Sequence, residues 1–341
     1  MDKSMKSQKI NVFKSIDKNI LWLALIIIGL VVWMTIAAPG RFWKGATFQA
    51  MAYQFPEFGI MSLGMMLCMI AGGIDLSVVG VSNLAGIVAA FIIKSAGADP
   101  SMGVIIGAIV AAIAVGAGAG AFNGFMIGNL RIPAMLVTLC GQQIFTGLGI
   151  AITQGPAISG MPDAFKAIAN DLVFGAVPVP LFIFIAVVVV LFLVLRFTVF
   201  GQQLYLMGAN PTASQYSGIN NFGVTMKTYM ASGILAAVAG IIVCSHYGSA
   251  KADYGTSYTL LTLLIVILGG ISPAGGKGKL AGVVLSILVL QIISSAFNIL
   301  RFDSYLKTFV WGLVMIGVMM IQYGSEVRGG HPKKLKVRKT S

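Results

Sequence analysis

From Leu181 to Leu195 the chain reads LFIFIAVVVVLFLVL, without one polar side chain. Apolar runs of this kind recur along most of the sequence, separated by charges or by Gly and Pro. A backbone placed in hydrocarbon must satisfy its own N–H and C=O groups, so runs extended to ~20 residues are confined to membrane-crossing helices. A soluble fold is excluded by supply. Of 341 residues, 57% are hydrophobic and 10% charged, too few polar groups to clothe a water-facing surface.

The breaks delimit ten candidate spans, near 20–38, 56–71, 78–94, 102–121, 134–152, 181–197, 229–247, 259–271, 280–299 and 306–323. The expectation is an all-α, polytopic bundle of about ten transmembrane helices with both termini cytoplasmic. Residues 1–19 would form a basic N-terminus, 20–323 the membrane domain and 324–341 a basic tail. Lys3, Lys6, Lys9 and Lys14 precede the first run, and Lys333, Lys334, Lys336 and Arg338 follow the last. Basic residues flanking spans mark the inner side and can meet anionic lipid. A net charge of +13 placed this way argues for membrane lipid and not for nucleic acid. The first run is preceded by basic residues like a secretory signal, but it is longer than a cleaved one, and we read it as a retained helix.

Absences narrow the chemistry. The stretch PAGGKGKL at 273–280 fails as a P-loop, because Lys277 precedes Gly278 and Lys279 precedes Leu280. Two histidines and three scattered cysteines assemble no catalytic set and no metal site. No cofactor is expected and the chain does not read as an enzyme. Only Asp75, with Glu57 at a span's edge, offers an acid within the membrane, which is thin for a proton relay.

Two long loops stand out. Residues 153–180 fall outside, with a short helical pattern from Ala164 to Leu172. Residues 198–228 fall inside and contain GANPTASQYSGIN at 208–220. There Asn210 suits an N-cap, Pro211 the first helical position and Gly218 a C′ stop, which predicts a helix over 211–217. It would present Tyr216 and Ile219 to the cytoplasm, either as a docking knob or against the protein's own bundle. Gly116, Gly120, Gly124 and Gly128 recur every four residues, as in closely packed membrane helices. GGIDLSVVGVSNLAGIV at 72–88 also echoes GGISPAGGKGKLAGVV at 269–284, as duplicated halves or by chance.

Four stretches together carry a resemblance: 72–80, NGFMIGNLRIPAMLVTL at 123–139, 208–220, and LGGISPAGGKGKLAG at 268–282. In this order, over about residues 20–323, the chain resembles the permease subunits of bacterial ABC importers of simple sugars, the ribose, xylose, arabinose and galactose type. It departs at Val79 before Gly80, where a shorter Val-Gly is common, and at Pro133-Ala134-Met135, where Pro-Phe is usual. The resemblance implies an inner-membrane subunit paired with a second permease chain. A cytoplasmic ATP-binding subunit and an extracytoplasmic sugar-binding protein would complete the importer. It implies that Gly208, Asn210, Ala213, Ser217 and Gly218, within a segment that also holds Pro211, Tyr216 and Ile219, couple to the ATPase. A self-sufficient secondary carrier or channel is the alternative.

Asp75 follows Gly72 and Gly73. A broken helix whose next segment is capped by Asp75, through the N–H of Ser77 or Val78, accounts for both the acid and the glycines. Contact with a passing sugar or with a neighbouring subunit are the other readings. A polyol needs neutral hydrogen-bonding partners to replace its water. Asn83, Asn123, Thr138, Gln142, Gln143, Gln291 and Asn298 qualify by placement, and Asn83, Thr138 and Gln142 are the candidates for pathway lining.

Overall fold

A computed structural model describes residues 18–97, 99–173, 175 and 177–329; the basic segments 1–17 and 330–341 lie outside the described residues. Helices stand at all ten predicted positions. They are α1 (Lys18–Ala37), α3 (Gly45–Ile70), α4 (Val78–Ser95), α5 (Met102–Gly128), α6 (Ala134–Thr153), α8 (Val179–Phe197), α11 (Asn221–Tyr247), α12 (Tyr258–Leu268), α13 (Leu280–Ile299) and α14 (Ser304–Gly329). Between them lie α2 (Pro39–Phe42), α7 (Asp163–Asn170), α9 (Val199–Ala209) and α10 (Pro211–Tyr216). Among the described residues, seven helices are long and apolar enough to cross a membrane: α1, α4, α5, α6, α8, α11 and α13. Helix α12, with 11 residues, is ~16 Å long against a hydrocarbon core of ~30 Å.

The helical expectation needs one small amendment. Among the described residues, four two-residue strands form two antiparallel ladders, β1 (Ile158–Ser159) with β4 (Ser249–Ala250), and β2 (Leu172–Val173) with β3 (Val177–Pro178). They satisfy backbone groups in connections that would otherwise leave them unpaired.

Helix α11 is the axis of the packing, against α5, α3 and α4. The glycine row of α5 explains its closeness to α11. A Cβ on Gly116 would lie 2.3 Å from the Gly233 carbonyl oxygen, and one on Gly120 2.2 Å from that of Tyr229. Backbones therefore touch, which supplies van der Waals attraction where lipid offers no hydrophobic gain. Apolar side chains of α6 and α8, among them Leu139, Leu148, Val190 and Phe192, remain on the outside as a lipid-facing surface requires.

Helices α3 and α12 stop in the same way. Gly72 (φ +88°) and Gly270 (φ +83°) take the left-handed conformation one residue past the last helical turn. In the first, Gly73 N–H donates to Cys68 O at 2.9 Å and Gly72 N–H to Met69 O at 3.0 Å; in the second, Ile271 N–H donates to Val266 O at 3.3 Å and Gly270 N–H to Ile267 O at 2.9 Å. Both are Schellman terminations. The structural correspondence is Gly72 with Gly270, one residue displaced from the correspondence in the letters of the echo.

Candidate translocation and coupling site

The segment 198–228 is built of helices and caps rather than open loop. Thr198 caps α9 by accepting from Gly201 N–H at 3.2 Å, Asn210 caps α10 through Ala213 N–H at 3.0 Å, and Asn220 caps α11 through Gly223 N–H at 3.0 Å. Pro211 begins α10. Ser217 closes it, and Gly218 follows at φ +81°, with Ile219 N–H donating to Ser214 O at 3.1 Å. Tyr216 is 90% exposed at the tip. Ile219 turns inward instead, into a cavity of about 580 Å³ with Pro211, Gln215, Arg131 and Ala71.

At the other end of α10 three chain segments converge on glycine. A Cβ on Gly208 would lie 1.9 Å from Ile70 O and 2.6 Å from Gly276 N, and Gly276 N–H donates to Ile70 O at 2.9 Å. A Cβ on Gly275 would meet the Gly72 Cα at 2.7 Å. Tyr205 of α9 adds a bond of 3.1 Å from its hydroxyl to Gly278 O, and burial pushes its phenol pKa up, so it stays a donor. The segment 198–228 is thereby clamped to the end of α3 and to the α12–α13 connection.

Between Gly73 and α4 lies Asp75, 2% exposed. Its Oδ1 accepts from the Ser77 N–H at 3.0 Å and the Ser77 hydroxyl at 2.6 Å, and its Oδ2 accepts from the Ser232 hydroxyl at 2.7 Å. Asn123 donates to the Ser77 hydroxyl at 2.8 Å. Each carboxylate oxygen is thus occupied by α11 or by the start of α4.

The three candidate lining residues hold segments together. Thr138 donates to Ile74 O at 3.0 Å and to Ala134 O at 2.9 Å, while Gln142 Oε1 accepts from Gly80 N–H at 2.8 Å. Asn83 donates to Ala252 O at 2.9 Å and Tyr254 O at 2.8 Å, and also borders a cavity of about 180 Å³ with Tyr247, Tyr254 and Tyr258.

One site was missed in the sequence. Glu57 is not at a span's edge but 0% exposed inside α3, with His246 Nδ1 2.6 Å from its Oε1 and the Tyr258 hydroxyl donating to Oε2 at 3.3 Å. The rings of Tyr53 and Tyr247 stack on His246. The signal available was an acid embedded in apolar sequence, which requires a partner. The chain's two histidines offered few choices. Cys68 and Cys244 are buried and Cys140 is exposed, and the described residues contain no metal-ligating cluster.

A glycine-packed bundle of long apolar helices, with broken helices clamped to a capped exposed segment, defines a helical multi-pass membrane protein. Residues 47–319 match the family model described as branched-chain amino acid transport system / permease component, and the chain belongs to that family. It is 33% identical over 269 residues to the ribose import permease protein RbsC of Escherichia coli (strain K12), covering 77% of this chain and 81% of that one. It is 31% identical over 270 residues to the L-arabinose transport system permease protein AraH of Escherichia coli (strain K12), covering 77% and 78%. It is 29% identical over 261 residues to the autoinducer 2 import system permease protein LsrC of Yersinia enterocolitica, covering 76% and 71%. No solved structure matches. The chain is a transport permease, not an enzyme.

Proposed function

We propose that this chain is the membrane subunit of an ATP-binding-cassette importer for a simple sugar, crossing a bacterial inner membrane ten times with both termini in the cytoplasm. Helix α12 completes its crossing with irregular backbone, which membranes tolerate where protein buries it. The second permease chain, an ATP-binding subunit inside and a sugar-binding protein outside are its partners. The observation that carries the reading is the capped α9–α10 segment, which offers Tyr216 outward while Gly208 rests on the end of α3 and on Gly276 of the α12–α13 connection. A push on α10 from an ATPase would reach the α3–α4 and α12–α13 breaks without an intermediary. In this reading Gly208, Asn210, Pro211, Ala213, Ser217, Gly218 and Ile219 shape the coupling element. Gly72, Gly73, Asp75 and Ser77 shape a broken helix beside it. Asn83, Thr138 and Gln142 then align the pathway walls.

Sugar is favoured over a branched-chain amino acid by the names of the relatives and by charge. A zwitterion needs ionic partners, whereas the buried acids among the described residues, Asp75 and Glu57, are already engaged.

The test is ATP-dependent uptake of labelled pentoses and hexoses into vesicles carrying this chain with its ATPase and binding protein. Gly218→Pro is compared with the parent. Proline requires φ near −65° where this residue holds +81°, and it removes the N–H that donates to Gln215 O at 3.0 Å. The expected result is uptake that needs all partners and is abolished by the substitution in a complex that still inserts. Uptake by this chain alone, indifferent to ATP and to the substitution, would establish the secondary carrier instead.

A further inference from the structure

Outside the segments treated so far, one buried amide has nothing to bond to. Gln291 of α13 is 2% exposed, its amide atoms are closed to solvent, and among the described residues neither its Oε1 nor its Nε2 has a hydrogen-bond partner. It lines a cleft of about 280 Å³ between α3 and α13, together with Gln54, Met51, Ser295 and Asn298. The two helices run antiparallel there. Gln54 of α3 lines the same cleft, and Asn298 lies ~10 Å along α13 from Gln291 at 1.5 Å per residue. Among the described residues no charged side chain lines the cleft, and Lys307 bonds to Asn298 Oδ1 at its end.

We infer that this cleft is a binding station for the transported polyol, with Gln291, its amide turned from its buried position into the cleft on binding, as the central contact. This rests on the sugar-importer reading. An amide is donor and acceptor at once, which suits a hydroxyl that is also both. Ser295, one turn from Gln291, and Gln54 across the cleft extend the same neutral chemistry. The volume corresponds to about nine waters of bulk liquid, the scale of one monosaccharide. A chain that keeps an unsatisfied amide in a membrane core departs from the rule that such groups are paired, and departures of that kind concentrate at functional sites.

Gln291→Leu separates binding from architecture, since leucine removes an unpaired polar group at similar size. In the assembled complex we expect the maximal uptake rate to fall about tenfold. Binding-protein-stimulated ATPase should stay within about twofold of the parent. The thermal midpoint of the detergent-solubilised complex should hold or rise. In parallel, Ser295→Cys should react with a thiol reagent, above the labelling of the parent's own cysteines, and sugar supplied during turnover should slow that reaction. Parental uptake by Gln291→Leu would overturn the inference alone. Labelling blocked with or without sugar would make the cleft a subunit contact and overturn it as well. A parent complex that imports no sugar would overturn the proposed function and this inference with it.

Discussion

At the residue scale, Asp75 shows how a carboxylate survives in apolar surroundings. It is not solvated; the Ser77 N–H, the Ser77 hydroxyl and the Ser232 hydroxyl replace the water. Asp75→Ala would leave those donors without their acceptor, so thermal unfolding of the solubilised chain should show a loss of about 1–3 kcal/mol. Asp75→Asn keeps an acceptor for the Ser77 N–H and should lose less. The break was legible in the sequence, because Gly-Gly interrupts a helix, but the N-cap of α4 is Ser77, and Asp75 holds the Ser77 N–H from two residues upstream. That Ser232 completes the site was not legible, since 157 residues separate the pair. Glu57 was illegible for the same reason. Its partner His246 is 189 residues away, so the apolar setting of the acid called for a partner without saying which.

At the element scale, the α5–α11 contact makes a paired prediction. Gly120→Ala would set a methyl 2.2 Å from the Tyr229 carbonyl and should destabilise by about 1–3 kcal/mol through forced separation. A methyl group added at Gly118, two residues away, would meet nothing within 4 Å. Gly118→Ala should therefore be neutral or stabilise by up to about 1 kcal/mol through helix propensity. Unfolding midpoints of the two variants read the difference. The four-residue glycine period foretold a close neighbour, but a period along one helix carries no name for its partner. Helix positions were legible for a related reason. Length, apolarity and Gly/Pro breaks act locally, and α4, α6 and α13 lie within a residue or two of their expected bounds. Helix α3 begins at Gly45 rather than near 56 and α11 at Asn221 rather than 229, because polar residues can extend a helix beyond its apolar part.

At the scale of the whole molecule, Gly208 is where the capped segment meets the end of α3 and the α12–α13 connection. Gly208→Ala would drive a methyl into Ile70 O at 1.9 Å and should wedge α9 away from α3. In the assembled importer this should leave ATP hydrolysis substantial while uptake falls at least about tenfold, an uncoupled phenotype. Equal loss of both activities would mean that the junction only holds the fold together.

By itself the sequence determined the membrane class, the positions of the helices, the caps of α10 and the Gly72-Gly73 break, because hydropathy, capping and left-handed φ are properties of a few consecutive residues; the stop of α12 at Leu268 falls short of the expected 271. Only the tertiary structure decided that α11 packs against the glycine row of α5, that Glu57 finds His246, and that Gly72, Gly208 and Gly276 share one junction. It also left Gln291 unpaired beside a cleft. The reason is that pairing is a relation between distant segments. Many hydroxyls and amides in the chain have the same local setting, and only their placement in space separates a helix clamp such as Thr138 from an unbonded group such as Gln291.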